Sequence, residues 1–265
     1  MEMQSTKCAG NPTRALNPEY AGVMIVGEQR RGGVHPVTFE LLARGRQLAD
    51  KLEAELSCVV IGSGLGRSAR EIIERGADVV YLIDDPALAW FLPGLYARAL
   101  ARLIRGAMPE IVIAAATTSG RTLMPVVAAK LGTGLTADCT ELDIDTEERL
   151  LLQTRPAIGG NVMATIKTPQ ARPQMATVRP KSARLLPRDP GRAGRVVEVK
   201  LEAAYCGVAD SGVGQCQRGP GPGLGLGRGF EVVLGSVRDT TQEVNVQDAE
   251  VIVTGGQGLK NKDNF

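Results

Sequence analysis

Aromatic side chains make up only 3% of this 265-residue chain, and histidine occurs once. A surface that stacks nucleic-acid bases relies on successive aromatic rings, so that class of function is disfavoured from the outset. The five cysteines, Cys8, Cys58, Cys139, Cys206 and Cys216, are odd in number and show neither Cys-x-x-Cys nor Cys/His spacing. Neither a disulfide framework nor a zinc site is supported, and a reducing cytosol is the simplest home. Charge of one sign is missing too, with 31 basic against 29 acidic residues and a formal net charge of +2. No global field points toward nucleic acid or an anionic membrane. Nor does any uninterrupted apolar run approach the about 20 residues that span a bilayer. Residues 1–19 are polar and mixed, without the apolar core of a signal peptide. A soluble, cytoplasmic protein is expected.

What is present is ample core material, at 43% hydrophobic residues, arranged as short β-rich runs alternating with helical patterns. Val23–Val26, Cys58–Ile61, Val79–Ile83 and Ile111–Ala116 read as buried strands. Leu41, Leu48 and Leu52 recur at helical spacing behind Pro36, a helix is expected over Ser68–Arg75, and Asp84-Asp85-Pro86 opens a helical region interrupted near Pro93. Continuous apolar strands alternating with helices predict a doubly wound, mostly parallel α/β sheet. After a helix starting near Gly120 come the short β-like runs Leu135–Leu142, Leu150–Thr154, Val162–Ile166 and Met175–Val178. These either extend the sheet or form a hairpin region on its edge. Residues 207–229 contain nine glycines and two prolines, a composition that cannot bury enough surface to offset its ordering entropy. The expected organisation is an N-terminal extension (1–19), an α/β domain (20–205), a glycine-rich linker (206–230) and the start of another domain (231–265). That last part carries a buried strand, Ala249–Val253, running into the turn Gly255-Gly256-Gln257-Gly258.

Candidate chemistry concentrates at strand ends. Gly62-Ser63-Gly64-Leu65-Gly66 follows a strand and precedes a helix, the context of a phosphate-binding turn, but it lacks G-x-G-x-x-G spacing and a plain connecting turn is the better reading. Ala114-Ala115-Ala116-Thr117-Thr118-Ser119-Gly120-Arg121 combines small residues, three hydroxyls, a helix start and a guanidinium at a strand's carboxyl end, where ligands of open α/β sheets bind. An N-capped helix with a solvated arginine would look the same. Gly132–Thr140, with Thr136 and Asp138, and Gln153–Asn161, with Arg155, Gly160 and Asn161, are polar where a simple core would not be. Such stretches can line a flat cofactor. His35 reads as a capping or surface residue and Cys139 as a packing residue.

With these residues assembled, the chain resembles the alpha subunit of an electron-transfer flavoprotein. The resemblance is carried by Gly27-Glu28-Gln29-Arg30, His35–Leu42, Thr117–Arg121, Thr133–Thr140, Gln153–Asn161 and Gly255–Lys260. It implies an adenine-nucleotide-hydrolase-like α/β domain, then a C-terminal domain carrying FAD, and an obligatory beta subunit with its own AMP or, in bifurcating members, a second FAD. By the same resemblance the protein would be an electron carrier rather than a substrate-converting enzyme, fed by an acyl-CoA or related dehydrogenase. Thr118, Ser119, Gly120, Arg121, Thr136, Asp138, Arg155, Gly160 and Asn161 would face a nucleotide or flavin, and Gly255, Gly256, Gln257 and Gly258 would begin the FAD site. Gln257 stands where the family usually has an arginine, and the family continues well past Phe265. Weak or absent flavin binding by this chain alone is therefore expected. The alternative is a nucleotide-binding or assembly module that docks the beta subunit without carrying electrons.

Overall fold

The computed structural model describes residues 20–30, 32–66, 68–157, 162–201, 251–256, 258 and 261. By internal contacts the chain divides between Glu231 and Val232, and nearly all described residues belong to the first unit. Its elements in chain order are β1 (Val23–Gly27), β2 (Gln29–Arg30), β3 (Gly33–Val34), α1 (Val37–Leu52), β4 (Leu56–Gly62), α2 (Ser68–Glu74), β5 (Val79–Asp84), α3 (Pro93–Ala107), β6 (Ile111–Ala115), α4 (Thr118–Leu131), β7 (Leu135–Cys139), β8 (Glu141–Asp145), β9 (Leu150–Pro156), β10 (Met163–Ile166), β11 (Gln174–Val178) and β12 (Arg195–Glu198). A single 3-10 turn, Pro86–Leu88, precedes α3.

Seven strands form one sheet in the order β12-β5-β4-β1-β6-β11-β7. Every pairing in it is parallel. Parallel sheets are covered on both faces, and the alternation of side chains along each strand shows how this one is. Val23 and Ile25 of β1, with Cys58 and Val60 of β4, enter a core shared with α1 and α2. Met24 and Val26, with Val59 and Ile61, enter the opposite core under α3 and α4. The doubly wound expectation holds, and the sheet is wholly rather than mostly parallel.

The later short runs do both things expected of them. β7 and β11 extend the main sheet, whereas β8, β9 and β10 form a separate three-stranded antiparallel sheet. Leu142, Ile144 and Leu151 turn one face of that second sheet into the α1 core. The run read as Leu135–Leu142 is two strands, because Thr140 leaves the parallel sheet and gives its N–H to Thr154 O at 2.9 Å. Strand β12 has no apolar alternation strong enough to be found in the sequence, and it pairs with β5 as an edge.

One expectation is corrected. Against the buried strand expected over Ala249–Val253, Val251, Ile252 and Val253 belong to no strand and are exposed at 81%, 54% and 77%. A β-branched run favours extended backbone, yet a buried strand also needs neighbours to pair with and to cover it. No described residue supplies a ladder partner. The glycine-rich linker, residues 206–230, lies outside the described residues.

Candidate functional site at the carboxyl edge of the sheet

Strand order reverses at β1, which lies between β4 and β6 while the chain visits β4 and β5 before returning to β6. A topological switch point of this kind opens a crevice outside the carboxyl ends of the strands. Here β1 delivers Glu28 to the crevice and β6 delivers Thr117. The Thr117 hydroxyl donates to Glu28 Oε1 across it. Thr117 is also the N-cap of α4, its Oγ1 accepting from Gly120 N at 3.1 Å. Such a cap satisfies one of the donors that a helix start leaves open. Gly120 itself is required by packing, since a Cβ there would lie 1.9 Å from Ala115 O.

The crevice is small, with a cavity volume of about 50 Å³. Phe91 and Tyr96 form an edge-to-face pair on its wall, with ring centroids 5.1 Å apart. Gln29 gives its side-chain N–H to Tyr96 Oη at 3.3 Å, and Tyr96 in turn donates to Leu88 O at 2.8 Å. Burial pushes the Glu28 carboxyl above the usual carboxylate range, against the opposing effects of the Thr117 hydrogen bond and of His35. His35 stands one position before Pro36, the N-cap of α1: its Nδ1 accepts from Val37 N at 3.3 Å, and its backbone N–H donates to Glu28 O at 2.9 Å.

On the β5 side, the turn Gly62–Gly66 is held by the chain itself. Asp84 accepts from Gly64 N at 2.7 Å and from Leu65 N at 2.8 Å, one bond to each carboxylate oxygen. Two of the amides a phosphate would use are thus taken by Asp84, which favours a plain connecting turn. Asp85, next along, caps the 3-10 turn by accepting from Ala87 N at 2.8 Å.

The β11 and β7 side is different in charge. Asp138, whose φ is +65°, receives Arg121 Nη2 at 2.8 Å and Arg179 Nη2 at 2.7 Å, one guanidinium on each oxygen. The hydrogen bond from Arg179 holds the Asp138 carboxyl below its usual range, helped by Arg121 and opposed by burial. Arg155, from β9, donates to Ala137 O at 3.2 Å and so adds a third guanidinium beside the same strand end. Both Arg121 and Arg179 keep about half of their side-chain surface in solvent.

Of the residues expected at a site, Arg121, Asp138 and Arg155 are thus brought together, and Thr118 and Ser119 form the first turn of α4 beside them. Ser119 lines the crevice. Thr136 is buried in β7 and presents no side chain to a ligand, whereas Gly120, buried in the first turn of α4, lines the crevice with its backbone. Gly160, Asn161 and Gln257 lie outside the described residues. Gly255 and Gly256 are exposed, and a Cβ on Gly256 or Gly258 would meet nothing within 4 Å. Arg179, Glu28 and Asp84 are not among the residues expected at the site, although two of them directly follow a strand and the third ends one. That register position is the signal by which they could be found.

Cys139 is buried at 0% exposure, its thiol facing Thr136 O at 3.6 Å and pushed up to about 11 by burial. A thiol so protonated is a packing group. A larger cavity of about 320 Å³ lies between α3 and strands β5 and β12, walled mainly by apolar side chains such as Leu103 and Val199. It sits at the β12 edge, away from the switch point, and its charged lining residues are Arg102 and Lys200.

Neither FAD nor a mononucleotide fits inside the crevice, whose volume is below the several hundred Å³ of ordinary ligand pockets. What the described residues offer such a group is an exposed cationic rim, not a cradle. Against known proteins, residues 23–204 match the model of the electron transfer flavoprotein domain. The chain is 38% identical over 247 residues to the electron transfer flavoprotein subunit alpha of Thermoanaerobacterium thermosaccharolyticum, covering 93% of this chain and 68% of that one. The corresponding subunit of Clostridium acetobutylicum is also 38% identical, again over 93% of this chain and 68% of the relative. Protein FixB of Azorhizobium caulinodans is 38% identical over 93% of this chain and 62% of its own length. A match to the family model over most of the chain, joined to identities at this level, means that the chain belongs to the electron-transfer flavoprotein alpha-subunit family.

Proposed function

We propose that the chain acts as alpha-subunit sequence in a heterodimeric FAD electron carrier, taking electrons from a dehydrogenase of acyl-CoA or related type and passing them to a downstream acceptor. The observation that carries this reading beyond family membership is the Arg121–Asp138–Arg179 cluster at the carboxyl edge of the sheet. Two guanidinium groups share one carboxylate there, which leaves a net positive rim suited to an anionic cofactor or an acidic partner surface. When bound, flavin supplies the one- and two-electron chemistry, and the protein contributes position and electrostatics.

The chain's own contributions in this reading are local. Asp138 fixes the orientation of both guanidinium groups, Arg155 braces the end of β7, and Thr117 caps α4 so that Arg121 leaves the helix at a defined angle. Gly255–Gly258 would begin the flavin-holding segment.

The test is to produce this chain with and without an electron-transfer flavoprotein beta subunit and to record the visible spectrum of each. Flavin absorption in the pair, absent or substoichiometric in the chain alone, is the expected result. A stable pair devoid of flavin would instead favour an assembly module. Stoichiometric flavin on the isolated chain would contradict the expectation of weak or absent flavin binding by this chain alone.

A further inference from the structure

We propose that the switch-point crevice is a receptor for one cationic side-chain head, arginine or lysine, presented by the beta subunit, with Glu28 as the group that receives it. The inference rests on the heterodimer reading for the identity of the partner. Its chemistry follows from what the crevice contains.

Glu28 brings a carboxylate into a confined space whose walls include Val26, Ile61, Phe91 and Leu123. Removing a carboxylate from water is costly unless a cation or several donors compensate it. Glu28 has the Thr117 hydroxyl on one oxygen, and no arginine or lysine among the described residues forms an ion pair with it. Of the other polar side chains of the wall, Ser119 adds a hydroxyl, while Gln29 and Tyr96 are committed elsewhere. Gln29 uses both ends of its amide, on Tyr96 and on Gly32 N at 3.4 Å, and Tyr96 gives its proton to Leu88. Among the described residues, then, no arginine or lysine matches this carboxylate, and His35 acts on its charge without offsetting its burial.

A phosphate is the wrong match. Its charge has the sign of Glu28, and the first amides of α4 that could favour an anion are partly used, Gly120 N on Thr117 Oγ1 and Arg121 N on Thr117 O. The volume of about 50 Å³ holds on the order of one to three water molecules, which is the scale of a guanidinium or ammonium head and not of a nucleotide. Apolar and aromatic walls around a carboxylate also suit the methylene stem of a basic side chain, which packs while its head stays polar. A family that works as heterodimers makes the beta subunit the source of that side chain.

The chain has one tryptophan, Trp90, adjacent in sequence to Phe91 of the cavity wall. Titrating the full chain with n-propylguanidinium chloride, against sodium chloride at equal ionic strength, should give a saturable change in tryptophan emission or a rise in thermal midpoint, as a ligand of the native state must. The variant Glu28→Gln keeps an acceptor for Thr117 while removing the charge, and it should weaken that response about tenfold. The same substitution should weaken binding of the beta subunit, measured by calorimetry, about tenfold as well. Glu55→Gln, at an exposed pair with Arg195, should leave both unchanged.

Saturation of the wild type by inorganic phosphate, absence of any propylguanidinium response by either readout, or an unaltered affinity for the beta subunit in Glu28→Gln would each overturn the proposal. Failure of the wild-type chain to bind the beta subunit would overturn the partner assignment and, with it, the heterodimer reading. The propylguanidinium arm would still report separately on the crevice.

Discussion

The two halves of the sheet's carboxyl edge are built from the same parts and carry opposite charge. Toward β5 and β1, the chain fills its own candidate anion positions with carboxylates: Asp84 on the amides of Gly64 and Leu65, and Glu28 at the capped start of α4. Toward β11 and β7 the carboxylate is Asp138, but it is outnumbered by the guanidinium groups of Arg121 and Arg179 bonded to it. Strand ends and helix starts attract anions in general, through free amides and the helix dipole. Whether such a position is open to a ligand depends on whether a residue of the chain already occupies it. In this fold the first half is closed to phosphate from within, and the second half is where an anionic group could be met.

The boundary between the halves can be broken outright at Gly120. A methyl group there would sit 1.9 Å from Ala115 O, a backbone atom fixed by the central strand β6, so the start of α4 would have to move. Gly120→Ala is expected to cost about 3 kcal/mol or more, the upper end for overpacking, in chemical denaturation of the full chain. Loss of the Thr117 cap and of the Glu28 bond should accompany it.

Asp84→Ala attacks the first half by freeing two loop amides. Hydrogen bonds to a charged acceptor are each worth about 1.5–3 kcal/mol when well shielded, but Asp84 is exposed. A net loss of about 1–2 kcal/mol is expected after solvent screening, read from the shift in denaturation midpoint. A loss near zero would mean that the Gly62–Gly66 turn holds its shape without the carboxylate. Arg121→Ala combined with Arg179→Ala tests the second half: stability should change little, because both pairs are largely exposed. Affinity for the beta subunit or for flavin in the complex should fall about tenfold, roughly 1.4 kcal/mol, and the salt dependence of binding should flatten.

Much of this architecture is legible in the chain. The runs at β1, β4, β5 and β6 are continuous, apolar and β-branched, so their burial on both faces follows from composition alone, and Pro36 marks a helix start where it stands; Pro93, expected to interrupt a helical region opened at Asp84-Asp85-Pro86, instead begins α3 after a separate 3-10 turn. Thr117–Arg121 was legible as a strand end feeding a helix, the local signal for a ligand-side turn. What escaped depended on contacts between residues far apart in sequence. Arg179 meets Asp138 across 41 positions and Glu28 meets Thr117 across 89, and neither pairing leaves a local pattern. Val251–Val253 failed in the opposite sense, because a strong local propensity for extended backbone does not by itself supply a partner strand.

The smallest expected effect separates the halves by the sign of their pH dependence. Asp138 is held below its usual range by Arg179 and Arg121, so its contribution to stability is full above the unfolded value and is lost as pH falls through the lowered folded one. Glu28 is raised by burial. Its contribution is full below the unfolded value and is lost as pH rises through the raised folded one. At neutral pH, then, Asp138→Asn should lower the thermal midpoint of the free chain slightly, while Glu28→Gln should raise it. Both differences from wild type should shrink toward zero in acid, where the two carboxyl groups are protonated and the substitutions remove no charge. A beta subunit that supplies a cation to Glu28 should reverse the second difference alone, because in the complex the wild-type carboxylate would be compensated and the glutamine would not. Midpoints measured across pH, with and without the beta subunit, therefore distinguish a carboxylate neutralised inside the chain from one that is matched only on assembly.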